Sequence, residues 1–251
     1  MNILTFFTPA EMTNINIGAD VVVVVDVLRG STTIASAFKA GASKIIPCGD
    51  LEHAFRIQNE LGHDKALLCG NINDEYIDGF NLGSSPLEFT PAVIQHKALI
   101  FCSPNITKAL AIARHHQRIL LGCFNNLNAV LECLGNPANL IVLCAGKNGH
   151  FSLEDAVCAG MMIQFLLNRT ETEFSLNDAA STARYLFYRH HRDILGMLNQ
   201  SAQGIFLSKL GYSQDIEYSA RLNTLNIVPE LSLGKDYIIP TVAVENILVA
   251  P

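Results

Sequence analysis

The run Val21-Val22-Val23-Val24-Val25 has no polar alternation. An unbroken β-branched stretch predicts a strand buried on both faces, as in a parallel sheet covered by helices. Polarity returns at once in Asp26-Val27-Leu28-Arg29-Gly30-Ser31-Thr32-Thr33, after which Ile34-Ala35-Ser36-Ala37-Phe38 opens a helical pattern. The same rhythm recurs down the chain. Apolar runs from Lys44 to Cys48, Ala66 to Cys69, Ala98 to Cys102, Ile119 to Cys123 and Leu140 to Cys144 each stop beside Gly, Ser, Pro or Asp. Each is followed by a turn and, after all but one, directly by a candidate helix: Ser31 to Ala40, Asp50 to Leu61, Asn105 to His115, Asn125 to Leu134 and Phe151 to Asn168. Asp50 and Ser152 are placed to cap helix N-termini, and Gly41, Gly62 and Gly135 to end helices. This β-α alternation predicts an α/β protein of the doubly wound type.

Two stretches depart from the rhythm. Residues 70–89 are long and turn-rich with little period of either kind, which predicts a lid or binding loop. Beyond Gly146 the pattern is mostly helical, with helices expected over Asn177 to Asn199, Ala202 to Leu210 and Gln214 to Leu222. β character then returns from Tyr237 to Val244. Without a Pro-, Gly- or Ser-rich linker, a single domain over residues 1–251 is expected, helical over about 151–225.

Composition narrows the function classes. At 49% hydrophobic and 16% charged residues, the 251-residue chain can bury a large core. A formal net charge of -6 with scattered Lys and Arg argues against a nucleic-acid partner. The apolar runs are too short to span a membrane, and the first residues lack a signal-peptide pattern, so a soluble cytoplasmic protein is expected. The seven cysteines form no C-x-x-C pair and read as reduced, buried small hydrophobes.

In an open parallel sheet, ligands bind outside the carboxyl ends of the strands. That rule gathers Asp26, the residue-70 loop, Ser103-Pro104-Asn105 and Cys144-Ala145-Gly146 on one rim. A carboxylate at a strand end can hold a hard cation, and the helix N-terminus at Gly30, Ser31 and Thr32 can attract an anion, with Arg29 between them. The second dense stretch runs from Cys144 through Lys147 and His150 to Ser152-Leu153-Glu154-Asp155. Ser152-x-x-Asp155 also fits a capping box, and Glu154 and Asp155 in a first turn complement a helix dipole. With Asp26 on the same rim they also fit a Mg²⁺ site for phosphoryl chemistry, which takes one or two carboxylates. P-loop, Rossmann and hydrolase-elbow motifs are absent. The pairs His115-His116 and His190-His191 lie in helical patterns where neighbours diverge by about 100°, so they do not form a shared metal site.

Asp26-Val27-Leu28-Arg29-Gly30-Ser31-Thr32-Thr33, the loop Gly79 to Phe89, the stretch Cys144 to Gly160 and the tail from Gly211 to Pro229 resemble the 2-phosphosulfolactate phosphatase family. The resemblance spans nearly the whole chain. It implies a three-layer α/β/α fold with a largely parallel sheet and a helical C-terminal third. It also implies a Mg²⁺-dependent phosphatase that releases phosphate from 2-phosphosulfolactate, a step towards coenzyme M. Under it, Asp26, Arg29, Glu154 and Asp155 are the catalytic candidates, with Asp26, Glu154 and Asp155 as metal ligands. Gly30, Ser31, Thr32, Asn105, Lys147 and His150 are the substrate-binding candidates. The expected partner is a small anionic phosphoester, with a second copy of the chain in a homodimer and neither nucleic acid nor membrane.

The chain departs from the family where Asn71-Ile72-Asn73 follows Gly70 in place of a stretch carrying Glu and Arg. Gly83-Ser84-Ser85-Pro86 and Pro104-Asn105-Ile106-Thr107 replace two further family motifs. Lys147, His150 and Lys108 are the nearest replacement cations, and a substrate with fewer acidic groups is expected. A non-catalytic anion-binding protein on the same fold is the alternative reading.

Overall fold

Five consecutive valines form an interior strand of a wide sheet. The computed structural model describes residues 1–13, 17–72, 75–169 and 173–241, so Asn73 and Val242 to Val244 lie outside the described residues. The elements run β1 (Asn2–Phe6), α1 (Pro9–Met12), β2 (Val21–Val25), α2 (Gly30–Lys39), β3 (Lys44–Cys48), α3 (Leu51–Leu61), β4 (Ala66–Ile72) and β5 (Glu75–Tyr76). They continue with α4 (Pro91–Ile94), β6 (Ala98–Cys102), α5 (Pro104–Ala113), β7 (Ile119–Gly122), a 3₁₀ turn (Phe124–Asn126), α6 (Leu127–Cys133) and β8 (Asn139–Cys144). The last third holds α7 (Leu153–Arg169), β9 (Ser175–Leu176), α8 (Asp178–His190), α9 (Ile194–Gln200), α10 (Ala202–Lys209), α11 (Ser213–Ser219), β10 (Val228–Ser232) and β11 (Tyr237–Thr241).

Among the described residues the sheet order is β5-β4-β6-β3-β11-β10-β7-β2-β8-β1-β9. Two parallel blocks, β4-β6-β3 and β7-β2-β8-β1-β9, are joined by the antiparallel hairpin β10–β11. The sheet is thus largely parallel and covered by helices, as expected. The valine run explains itself here. Val21, Val23 and Val25 share a core with Leu127 and Val130 of α6, Met162 of α7 and Ala183 of α8. Val22 and Val24 pack on the opposite face with Ile34 and Phe38 of α2 and Ile106 and Leu110 of α5. Both faces of β2 are therefore sealed, and no polar position is tolerated.

Several expected boundaries shift. β4 continues past Cys69 to Ile72 and pairs with β5 (Asn71 with Tyr76), so part of the supposed loop is strand. The helix expected over Asn177 to Asn199 is two helices, α8 and α9. Asp193 breaks it by accepting the Gly196 N–H at 2.7 Å as an N-cap, a local bond that overrides apolar spacing. β1, β9 and β10 have no counterpart in the sequence reading, being short or interrupted by polar residues. All seven cysteines are free thiols. No described helix is long and apolar enough to cross a membrane.

The three antiparallel steps through β11 and β10 leave the two blocks running in opposite senses along the ladder. Their carboxyl ends meet all the same. The turn after β6 abuts the turn after β2, where a side-chain carbon placed on Gly30 would lie 3.2 Å from Ile106 Cβ. The backbone N–H of Asn148 donates to Asn105 Oδ1 at 3.0 Å.

Candidate active site

The turn after β2 is built around Asp26, which is buried. Its N–H donates to Ser31 Oγ at 3.0 Å, its carbonyl accepts from the Ser31 N–H at 2.8 Å, and its Oδ1 accepts from the Gly30 N–H at 3.3 Å. Any side chain at position 30 would strike this carboxylate, because a Cβ there would sit 2.5 Å from Asp26 Oδ2. Glycine is what lets the acid lie across the first turn of α2. The Leu28–Arg29 peptide is cis. The hydroxyls that seemed to offer substrate contacts serve the turn itself. Ser31 Oγ holds Asp26, Thr32 Oγ1 donates to the Val27 carbonyl at 2.9 Å, and Thr33 Oγ1 donates to the Ser84 carbonyl at 2.7 Å.

Arg29 is nearly inaccessible. Its Nη1 meets Asp215 Oδ2 at 2.6 Å, and its guanidinium carbon lies 4.3 Å above the centre of the Tyr212 ring. Asp215 Oδ1 in turn accepts from Ser85 Oγ at 2.6 Å. Of the five buried side-chain polar atoms without a hydrogen-bond partner among the described residues, Arg29 Nε and Ser84 Oγ are the two that belong to residues lining a single cleft.

The two expected carboxylates of α7 take different places. Asp155 Oδ1 accepts from the Val27 N–H at 2.8 Å and its Oδ2 from the Gly146 N–H at 3.1 Å. Half of the anticipated capping box forms, with the Asp155 N–H directed to Ser152 Oγ at 3.4 Å. The Asp155 side chain, however, ties the β2 turn to the β8 turn. Burial foremost, then the charges of Asp26 and Glu154, pushes the Asp155 carboxyl well above its ordinary range, against the pull of its two backbone donors. Glu154, raised mainly by burial against the opposing pull of the nearby Ser152 and Ser201 hydroxyls and the Lys147 charge, faces a neighbouring cavity with Gln200 and Gln203.

A cleft opens where these turns converge. It is lined by Asp26, Leu28, Arg29 and Gly30 after β2, Asn71 from β4, Ser84, then Ser103, Pro104 and Asn105 after β6, and Lys147 and Asn148 after β8. Lys147 and Asn148 belong to a tight hairpin in which Lys147 and His150 exchange backbone hydrogen bonds of 2.9 Å. Positive φ at Asn148 (52°) and Gly149 (81°) suits the two-residue turn that Asn-Gly favours.

Of the residues expected at the site, the structure brings Asp26, Arg29, Gly30, Asn105 and Lys147 to this cleft. Ser31, Thr32 and Asp155 stand behind its wall, Glu154 faces the side cavity, and His150 and Lys108 are exposed outside the lining. Asp215, Tyr212, Ser84 and Asn148 were not expected as site residues. Among the described residues, no three carboxylate, histidine or cysteine side chains group around one point as a metal cage. Chemically, the cleft offers one carboxylate, two cations, amides and two open donors, a set suited to an anion and to a hard cation shared with it.

A family model described as 2-phosphosulpholactate phosphatase matches residues 6–234. The probable 2-phosphosulfolactate phosphatase of Symbiobacterium thermophilum is 33% identical over 228 residues, covering 90% of this chain and 96% of that protein. The proteins of the same name from Clostridium novyi and Caldanaerobacter subterraneus subsp. tengcongensis are 34% and 31% identical over 215 and 214 residues. Each covers 85% of this chain, and 90% and 88% of the respective relative.

Proposed function

The chain belongs to the 2-phosphosulfolactate phosphatase family, and from that membership we propose a Mg²⁺-dependent phosphomonoesterase acting on 2-phosphosulfolactate or a related small anionic phosphoester. The observation that carries this reading is the pair Arg29 Nε and Ser84 Oγ, two buried polar atoms without a partner on the wall that also holds Asp26. Buried polar groups are rarely left open. Two open donors beside one carboxylate match phosphoryl oxygens that need hydrogen bonds.

Asp26 fits the role of protein ligand to magnesium, which asks for one or two carboxylates and fills its remaining positions with phosphate oxygens and water. Bound there, the ion would neutralise ester charge and make a water molecule more acidic. Arg29 and Ser84 would orient the phosphoryl group, and Lys147 would add positive charge from the opposite wall. Asp155 would act indirectly, its two backbone contacts keeping the Asp26 turn and the Lys147 hairpin in register.

The rest of the substrate would meet Asn71, Asn105 and Asn148. 2-Phosphosulfolactate carries phosphate, carboxylate and sulfonate, whereas Asn71, Asn105 and Asn148 give the cleft an amide-rich lining and Arg29 is paired with Asp215. A desolvated charge contact is worth about 2 to 5 kcal/mol, so an amide-lined pocket should favour a less acidic ester. The test is phosphate release from 2-phosphosulfolactate, phospholactate and phosphoglycolate by wild type and Asp26→Asn. Release should require Mg²⁺, fall at least about a hundredfold in Asp26→Asn, and show higher kcat/KM for the two less acidic esters. Full Mg²⁺-dependent activity in Asp26→Asn overturns the assignment of Asp26. A preference for 2-phosphosulfolactate above about tenfold, or ~1.4 kcal/mol, overturns the substrate argument. Binding without turnover by the wild type identifies a non-catalytic anion-binding protein instead.

A further inference from the structure

Arg29 and Asp215 are 186 positions apart in the chain, and their contact joins the short helix α11 to the turn after β2. We infer that Asp215 is a positioning residue of the anion site, acting through Arg29 and Ser85; the inference rests on the reading of the cleft as a phosphate site. The carboxylate divides its two oxygens between two buried donors, Arg29 Nη1 and Ser85 Oγ, both at 2.6 Å. The Tyr212 ring covers one face of the guanidinium. With one edge held and one face covered, the plane of the guanidinium is fixed, and its Nε is buried without a partner. On the other side, Ser85 is held by Asp215 while the carbonyl of Ser84 accepts from Thr33 Oγ1 at 2.7 Å. With the preceding Gly83 carbonyl accepting from the Gly70 N–H at 3.0 Å, Ser84 is anchored on both flanks while its hydroxyl is unpartnered. One carboxylate therefore orients the two buried, unpartnered donors of the cleft wall.

An ionised carboxylate accepts at both oxygens. An asparagine in its place accepts at one atom and presents an NH₂ to the second donor. Asp215→Asn consequently preserves shape but removes the charge paired with Arg29, and the Ser85 hydroxyl must turn from donor to acceptor to keep its contact. α11 keeps its other attachments, from Ser36 Oγ to Tyr218 Oη at 3.0 Å and from Asn125 Nδ2 to the Tyr218 carbonyl at 2.8 Å, so the helix should remain docked.

The experiment measures inorganic phosphate binding by calorimetry, and kcat and KM for phospholactate, in wild type, Asp215→Asn, Arg29→Met and the double variant. Asp215→Asn should raise the phosphate Kd and the ester KM tenfold or more, and in the Arg29→Met background, where only the Ser85 contact is left to lose, it should raise either by clearly less, about threefold. A phosphate Kd and KM within twofold of wild type in Asp215→Asn, or effects that multiply independently in the double variant, overturn the inference and leave a purely structural ion pair. Should Asp215→Asn not fold, Ser85→Ala carries the test, since it keeps the ion pair and frees only the serine loop. It should raise the phosphate Kd at least threefold, and an unchanged Kd overturns the inference. Failure of the wild-type protein to bind phosphate overturns the reading of the cleft itself, and the inference with it.

Discussion

Gly30 places the tightest constraint on the site at the scale of a single residue. The Asp26 carboxylate occupies the space a methyl group would take, 2.5 Å from Oδ2 and 2.9 Å from Cγ, and it is anchored there by the Gly30 N–H. Alanine is the better helix former, so Gly30→Ala should leave thermal stability within a few degrees of wild type while displacing Asp26 and lowering kcat/KM at least about tenfold. Unchanged turnover would show that Asp26 tolerates displacement and is not held for chemistry. Asp26, Arg29 and Gly30 were legible because an acid, a cation and a glycine follow an all-valine strand without a gap. Asp215 was not, because nothing local distinguishes an acid in the first turn of α11 from an ordinary helix-dipole partner. Its meaning comes from Arg29, far away in sequence. Ser31 and Thr32 were read as ligand donors on position alone. Their hydroxyls are consumed by Asp26 N–H and the Val27 carbonyl, partners that a linear pattern does not display.

At the scale of elements, the hairpin β10–β11 is fastened where it meets β7. Arg118 donates from Nε and Nη2 to the two oxygens of Glu230, both at 2.9 Å, and from Nη1 to the Cys133 carbonyl at 2.6 Å. Thr241 Oγ1 adds a 3.0 Å bond to Glu230. Burial alone would raise the Glu230 carboxyl, but the Arg118 hydrogen bonds and charge outweigh it, and the net displacement is downward from 4.5. The unfolded chain then binds this proton more readily than the folded one. The stabilisation is complete above the ordinary glutamate range and is lost as pH falls below about 4.5 through the depressed folded value. Glu230→Gln should cost about 1–2 kcal/mol at pH 7, and its deficit should shrink as urea unfolding is repeated at pH 5, 4 and 3.5. A deficit independent of pH would exclude this pair as the source. The strands of the β-α rhythm were legible to within three residues, Lys44–Cys48 and Ala98–Cys102 without any shift, because each is an apolar run with a turn behind it. β10, with Pro229 and Glu230 inside five residues, was hidden. Its polar members are satisfied by Arg118 and by its place beside β11.

At the scale of the whole molecule, the sequence supported the layered α/β arrangement, since five valines without a polar position require cover on both faces. The order of the strands was beyond it. Strand order depends on which edges meet, and no periodicity encodes that. The same order sets a timetable for assembly. As the chain leaves the ribosome, β3 and β7 are synthesised long before residues 228–241, yet those residues occupy the gap between them. Until they arrive, the nascent protein carries two raw seams with unpaired backbone groups, the template on which strands of other chains add. A chain stopped before Val228 should therefore sediment as aggregates and take up a hydrophobic dye, and supplying residues 228–241 as a separate peptide during refolding should restore part of the soluble fraction. A soluble, dye-silent truncated chain would show that the two blocks close on each other without their late insert. For this protein, residues 228–241 have to be synthesised before the centre of the sheet exists.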